Sequence, residues 1–407
     1  MLDNSISTNR IAKPVLRSEA AEAVFGPKKK DRMVYIDNLR LLMIVFVVMV
    51  HTAVTYSGLG SWYYKEAVQL DPISFTLFGI FQGVTQGYFM GLLFLIAGYF
   101  VPGAYDKKGF GRFIKDRLVR LGIPTLFYMF FIRPLITFGL LNFQLPSPRP
   151  AFWNSYSSYI TTGDFLSGTG PLWFALALLI FSLIYALVRL ASSRRPASAP
   201  VASKVGVRQV VLLGSIISVG AFAIRLVQPI GTDVMNMQLC YFTQYIVLFV
   251  VGVAAYRQGW FSSIEYSFGR KCLRVALSWG LLLFGAIMLG GGVISNGMTA
   301  FNGGWLWQSA AYAVWESFTA VTMSIGLLTV FREKYNHQNK LVKTLSDNSF
   351  AVYVFHAPVL ISISLLMASM ALIPIVKFVI VAMLAVTAAF ALTYFVMRRV
   401  PVLKEVI

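Results

Sequence analysis

The sequence is short of charge, cysteine and histidine. Only 13% of its 407 residues are Asp, Glu, Lys or Arg, and it contains two cysteines and three histidines. So little charge, with 57% hydrophobic residues and a mean hydropathy of +0.70, excludes an ordinary soluble domain and predicts a polytopic membrane protein. No metal-spaced His/Cys cluster, Ser/His/Asp set or Gly-rich phosphate loop stands out in the chain.

The few charges are unbalanced, with 35 basic residues against 16 acidic ones and a net charge of +19. In a membrane protein such an excess lies in cytoplasmic loops beside phospholipid, so no nucleic acid partner is needed to explain it. The first apolar run begins after residue 33, is too long for a signal-peptide core and has no small-residue cleavage pattern behind it. We therefore expect the first helix to stay in the mature protein.

The apolar runs predict an all-α protein of about ten transmembrane helices. We expect residues 1–33 to form a disordered basic cytoplasmic tail, 34–400 the membrane domain and 401–407 a second cytoplasmic tail. Of the 35 Lys and Arg residues, 29 fall in segments that ten spans place on one side. The positive-inside rule then puts both termini in the cytoplasm and the protein in the cytoplasmic membrane. The spans are expected at about 35–56, 73–101, 121–141, 171–190, 209–228, 238–256, 272–291 and 305–331, in a ninth run from Ser346, and at 374–397.

The first apolar run, Tyr35 to Tyr56, carries the residues with the clearest chemistry. Arg40 and His51 are eleven residues apart, so they project from one helix face about 16 Å apart along the axis, and Asp37 lies one turn before Arg40. Ionisable groups inside a span are costly and by default functional. Alternatively, Arg40 snorkels to the head groups and His51 bonds a neighbouring helix. Because imidazole exchanges protons near neutral pH, His51 is the predicted general base.

A basic segment at residues 106–124 is the second candidate site. Arg117 and Arg120 form an i,i+3 pair on one helix face, with Arg112 and Lys115 close by in sequence. A pair of guanidinium groups suits bidentate contacts with phosphate. The alternative is a positive-inside anchor, which any basic loop provides.

Four further polar residues lie within predicted spans. Gln82 and Gln86 are one turn apart and suit interhelical hydrogen bonds or a polar cavity. Glu316 must be paired, protonated or in a wet cavity, and an ion pair with Arg40 or another buried cation is the simplest interpretation. His356 stands two residues before a proline in the ninth span.

Four motifs together resemble the integral-membrane acyltransferase-3 family. The first is I-D-N-L-R at 36–40, which ten residues separate from His51. The others are R-L-V-R-L-G-I-P at 117–124, P-L-W-F at 171–174 and F-H-A-P at 355–358. The resemblance implies a membrane O-acyltransferase that moves an acyl group from a cytoplasmic acyl-CoA to a hydroxyl of an extracytoplasmic carbohydrate. It assigns Arg117 and Arg120 to the donor and implies no permanently bound cofactor and no metal. The D-N-L-R start and the lack of an added extracytoplasmic domain are similar to the glucan-modifying branch, which succinylates periplasmic glucans.

A proton-coupled transporter of an anionic solute is the alternative, because intramembrane Arg, His and Glu residues also suit proton-coupled transport. Against it, the sequence has no apparent inverted repeat and no pair of broken spans in matching halves. A scaffold or sensor that has lost its activity is a third possibility.

Overall fold

The computed structural model describes residues 32–66, 69–192, 205–396 and 399. Nearly all of the predicted N-terminal tail and the whole of 401–407 lie outside these residues. The described part is helical and contains no strand, which confirms the all-α prediction.

Ten helices follow one another through the described residues, and all but the ten-residue α3 are long and apolar enough to cross a membrane. Shorter helical turns lie at Asp164–Ser167, Trp260–Ser263, Val293–Asn296 and Thr299–Asn302. The ten are α1 (Val34–Ser57), α2 (Pro72–Gln144), α3 (Phe152–Thr161), α4 (Gly170–Ala191), α5 (Val207–Arg225), α6 (Leu239–Gln258), α7 (Tyr266–Gly290), α8 (Trp307–Lys334), α9 (Lys340–Leu366) and α10 (Pro374–Phe395).

The nine long helices match ten predicted spans because α2 contains two of them. A straight helix of 73 residues would be about 110 Å long, more than three times the hydrocarbon core. Gly109 interrupts α2 with φ 69° and ψ 172°, a conformation that residues with a Cβ rarely adopt. Before this bend Tyr105 contacts Tyr185 near the end of α4, and after it Tyr128 lies against Gly170 at the start of α4. The chain therefore reverses at Gly109.

The N-terminus of α2 is capped by Asp71, whose carboxylate accepts hydrogen bonds from the backbone N–H groups of Ile73 and Ser74. These bonds satisfy two of the N–H groups that a helix start leaves without partners. Hydrogen bonding by Ser74 lowers the pKa of Asp71 below its ordinary value. The carboxylate is therefore ionised at neutral pH.

The helices α2 and α6 approach each other closely. A Cβ atom at Gly98 would overlap the carbonyl oxygen of Phe249, and one at Gly252 would overlap that of Leu95. Small residues allow such approach where helices cannot be driven together by the hydrophobic effect. The helix α1 in turn contacts α2, α8, α9 and α10, so its polar face is enclosed by the bundle.

We predict that Gly252→Ala destabilises the protein by about 1–3 kcal/mol or more, because the new methyl group must push two backbones apart. Thermal unfolding in detergent measures the loss. The control is Gly79→Ala on the partner helix α2, where an added Cβ meets nothing within 4 Å. Equal stability of the two variants would contradict the crossing geometry.

Candidate active site

Two of the three histidines meet inside the helix bundle. His51 on α1 and His356 on α9 are 305 residues apart in sequence, yet His51 Nδ1 lies 3.0 Å from His356 Nε2. The two rings are nearly parallel, with 9° between their planes and 5.1 Å between their centroids. His356 is fully buried and His51 is partly exposed. Sequence spacing alone did not pair these residues.

The hydrogen bonds fix which nitrogen carries each proton. His356 Nδ1 lies 2.7 Å from the backbone carbonyl oxygen of Tyr353, and since a carbonyl only accepts, this nitrogen carries a hydrogen. In the neutral ring His356 Nε2 is then an acceptor, so His51 Nδ1 donates to it. Two adjacent imidazolium ions would repel each other, which favours this neutral pair. His51 Nε2 is therefore left with a lone pair, as a general base requires.

The segment of α9 around His356 also anchors the start of α4. The hydroxyl of Tyr353, one turn before His356, donates to the carbonyl oxygen of Pro171. Pro358 lies inside this helix and lacks a backbone N–H, which weakens the backbone hydrogen bonding of the same turn. Three motifs of the sequence, at His51, at Pro171 and at His356, thus meet in one place.

A tryptophan from the loop after α1 covers His51. The ring of Trp62 stacks on His51 with 3.9 Å between centroids and 12° between planes. Its neighbour Tyr63 accepts a hydrogen bond from the hydroxyl of Tyr128, at 3.1 Å. Burial raises the pKa of Tyr63, so its phenol is neutral at physiological pH. The sequence analysis missed Trp62, and its only signal was the aromatic run Trp62-Tyr63-Tyr64 in a short loop.

Arg40 lies in a separate group of contacts from His51. Its guanidinium is 3.9 Å from Asp37, and its Cζ is 4.7 Å from the centroid of the Phe100 ring on α2. The helical rise keeps it about 16 Å from the level of His51. Arg40 and Asp37 therefore do not touch the histidine pair, and any role they have is at the other end of α1.

The predicted donor-binding residues surround the bend of α2. Arg120 Nε is 3.1 Å from Asp116, which also pairs with Lys108 at 2.7 Å. Arg117 is partly buried over the ring of Phe113, and its Nε has no acceptor among the described residues. A π turn, Leu118–Gly122, begins directly after Arg117. Because Asp116 holds Arg120 and Arg117 lies over the Phe113 ring, the predicted pair does not form one fork in this structure. Arg112 and Lys115 are exposed.

The two glutamines lie at helix contacts. The side-chain amide of Gln82 bonds Ser57 Oγ at 3.1 Å, and with its oxygen and nitrogen exchanged it also donates to the carbonyl of Leu59. Gln86 lies near Tyr245 on α6. A contact between α1 and α2 is therefore present for Gln82, and for Gln86 an interhelical hydrogen bond stays a prediction.

Glu316 is paired with Arg225 and not with Arg40. Arg225 Nη2 lies 2.6 Å from Glu316 Oε2, and both side chains are buried. The rest of the guanidinium faces the rings of Tyr241 and Tyr312, at 5.6 Å and 5.3 Å from their centroids. The sequence predicted an ion pair with Arg40 or another buried cation, and the structure gives the second of these. The sequence left the partner open because pairing depends on which helices become neighbours. Within the described ranges, no three His, Cys, Asp or Glu side chains are grouped as metal ligands.

These features define a class: an all-α, multi-pass membrane protein with a histidine pair inside its helix bundle. The model of the acyltransferase-3 family, described as an acyltransferase domain, matches residues 33–394. The chain therefore belongs to this family and is a membrane acyltransferase, as its four motifs predicted. No curated protein and no solved structure matches the chain.

We predict that Arg225→Met and Glu316→Leu, made singly, each destabilise the protein by about 3–5 kcal/mol, because each leaves a buried charge without its partner. The double variant should recover most of this loss. Thermal unfolding in detergent measures stability, and acyl transfer per folded molecule measures function. A loss of transfer in a stable double variant would show that the pair has a catalytic role.

Proposed function

We propose that this membrane acyltransferase moves an acyl group from a cytoplasmic acyl-CoA to a hydroxyl of an extracytoplasmic carbohydrate. The observation that carries the proposal is the contact between His51 and His356. It holds the His51 ring in one orientation and leaves His51 Nε2 unprotonated inside a membrane bundle. A hydroxyl is a weak nucleophile until a base accepts its proton, and this nitrogen is suited to do so.

The reaction then proceeds in two balanced steps. The acceptor oxygen attacks the thioester carbonyl carbon and forms the new C–O bond, while its proton passes to His51 Nε2 and the carbonyl oxygen becomes an oxyanion. When the intermediate collapses, the C–S bond breaks and the thiolate takes the proton back from His51 Nε2. The products are the acylated carbohydrate and free coenzyme A, and both histidines return to their starting state.

His356 is the positioning residue for this base. Its ring nitrogens bond the Tyr353 carbonyl on one side and His51 Nδ1 on the other. When His51 becomes an imidazolium, the Nδ1–H to Nε2 hydrogen bond strengthens, because its donor is now charged. The arrangement resembles other base–orienter pairs, in which a second group fixes the tautomer of the catalytic imidazole.

The donor is assigned to the basic residues around the bend of α2. Arg117 has an unpaired, buried Nε, and Arg120, Arg112 and Lys115 supply further positive charge. Phosphate groups of acyl-CoA would compete with Asp116 for Arg120 and bring both guanidinium groups onto one ligand. Donor binding therefore requires Arg120 to exchange partners.

The acceptor is assigned to an open pocket of about 380 Å³ beside α3. Aromatic faces with hydroxyl, amide and carboxylate groups are suited to a sugar ring. Tyr159, which lines this pocket, donates to the carbonyl of Met129. The residue before Met129, Tyr128, bonds Tyr63 in the loop over His51. A glucan acceptor and a succinyl group are the finer proposals, and they depend on the branch similarity alone. The pocket is lined by Phe138, Asn154, Ser155, Ser158, Tyr159 and Asp164.

Proton-coupled transport is the weaker alternative. This alternative needs Arg40, His51 and Glu316 to act together in transport. However, Glu316 is ion-paired with Arg225, and Arg40 contacts Phe100. The three residues therefore belong to separate contact groups, and the family of the chain favours acyl transfer.

We predict that His51→Ala abolishes acyl transfer and that His356→Ala lowers kcat about 10²- to 10⁴-fold, since general-base catalysis is worth about this much. Donor affinity should be little changed in both variants. The assay uses proteoliposomes with acyl-CoA on the side of the Gly109 bend and the sugar on the other side. The matched control is His337→Ala, outside the histidine pair, which should keep full activity. Normal turnover in His51→Ala would refute the mechanism.

We predict that Arg117→Ala with Arg120→Ala weakens coenzyme A binding strongly and in a salt-dependent way. The double Lys variant should preserve insertion but not the bidentate contacts, because lysine keeps the charge without the fork. Calorimetric titration of purified protein with coenzyme A distinguishes phosphate binding by these arginines from a role in membrane insertion alone. Unchanged affinity in the double Ala variant would leave the basic segment as an insertion signal only.

A further inference from the structure

Trp62 completes a stack of three parallel rings. Its ring lies 3.9 Å from that of His51 and 6.1 Å from that of His356, with planes 12° and 14° apart. It comes from the loop between α1 and α2, whereas the histidines come from α1 and α9. Three separate segments of the chain therefore converge on one flat cluster.

The loop that carries Trp62 is held at two points that follow it in the chain, Tyr63 and Glu66. The carboxylate of Glu66 accepts two hydrogen bonds from Lys377 Nζ, at 2.7 Å and 2.8 Å. Lys377, at the start of α10, is buried and also donates to the carbonyls of Ala368 and Met370. The hydroxyl of Tyr63 is held by Tyr128, as described above. Trp62 is thus positioned by the surrounding structure and does not depend on its own stacking alone.

The indole N–H of Trp62 is buried and has no acceptor among the described residues. An unpaired buried donor costs about 1–3 kcal/mol, and a phenylalanine would stack on His51 without that cost. The chain uses phenylalanine 33 times, so an aromatic ring without an N–H is common elsewhere in it. Trp260 also has such an N–H, but only that of Trp62 belongs to a ring stacked on the proposed base, where a ligand can supply the acceptor.

The five ring nitrogens of the stack leave one free donor. His356 uses Nδ1 for a carbonyl and Nε2 for His51, and His51 uses Nδ1 for His356 and keeps Nε2 as the base. The acceptor hydroxyl must reach His51 Nε2, and the acyl carbon must lie about 3 Å from that oxygen. The carbonyl oxygen of the acyl group is then beside the stack, where the indole N–H is the donor still available.

We propose that Trp62 is a catalytic residue whose indole N–H donates a hydrogen bond to the acyl carbonyl oxygen as it becomes an oxyanion. This inference rests on the proposed acyl transfer and supplies the oxyanion donor that the sequence did not identify. Donors fixed beforehand at the position of developing charge act most strongly where water is excluded. The hydrogen bond forms with the intermediate and weakens when the C–S bond breaks, so no atom or proton of Trp62 is consumed.

The test is Trp62→Phe, which keeps the stacking ring and removes the N–H. We expect kcat for acyl transfer to fall about 10²- to 10³-fold, as for other oxyanion donors, while the KM values for donor and acceptor change little. The matched control is Trp260→Phe, because the indole N–H of Trp260 is also buried without an acceptor among the described residues. Trp260 lies in the short helix after α6, and its variant should keep the parent kcat.

A kcat within about threefold of the parent in folded Trp62→Phe, beside an inactive His51→Ala, would overturn the role of Trp62 and spare the proposed function. Turnover in His51→Ala would overturn both. If Trp62→Phe does not fold, 3-benzothienylalanine at position 62 keeps the size and shape of the indole without its N–H. It should show the same loss of kcat, and full activity with this residue would equally overturn the inference.

Discussion

The hydrogen bond between His51 and His356 is the constraint on which the site depends. In a bilayer, a polar side chain without a hydrogen-bond partner is costly. The hydrogen bond between these two imidazoles therefore holds their two helices together. The carbonyl of Tyr353 requires a proton on His356 Nδ1. His356 Nε2 is then an acceptor, so the proton of His51 lies on its Nδ1. The same bond fixes α1 against α9 and determines which nitrogen of His51 is a base. One backbone oxygen thus controls the chemistry of a side chain on another helix.

Buried polar groups in this protein differ in how far their bonding is complete. Glu316 is paired with Arg225, whose guanidinium also lies near two tyrosine rings, and this cluster joins α5 to α8. Arg225 Nε and Nη1 have no acceptor among the described residues. The hydrogen bond of His51 uses Nδ1 and leaves Nε2 with its lone pair. The indole N–H of Trp62, whose ring stacks on His51, is buried without an acceptor among the residues described. A lone pair beside an N–H is the combination that a reacting hydroxyl and carbonyl require. This combination at one position, and not incomplete bonding alone, marks His51 and Trp62 as candidate catalytic groups.

The sequence predicted the helices well because apolar length alone determines a span. It also predicted that Arg40 and His51 share a helix face, since that depends only on the helical period. It did not predict that His356 meets His51 or that Arg225 is the partner of Glu316, because these pairs depend on the order in which helices pack. Trp62 was missed for a related reason. It lies in a loop, where no periodicity reports which way a side chain points.

The depth of the proposed donor site follows from the two arms of α2. Phe100 is nine residues before the bend at Gly109 and Arg117 is eight residues after it, so the two lie at nearly the same level. Arg40 contacts Phe100 and therefore marks that level on α1. His51 is eleven residues further along α1, about 16 Å higher on a helical rise. A donor whose phosphates are held by Arg117 must cover this distance with its acyl arm. Helical rise sets the level of Arg117 on α2 and that of His51 on α1. The proposed phosphate site and the proposed base therefore keep a constant separation although they lie on different helices.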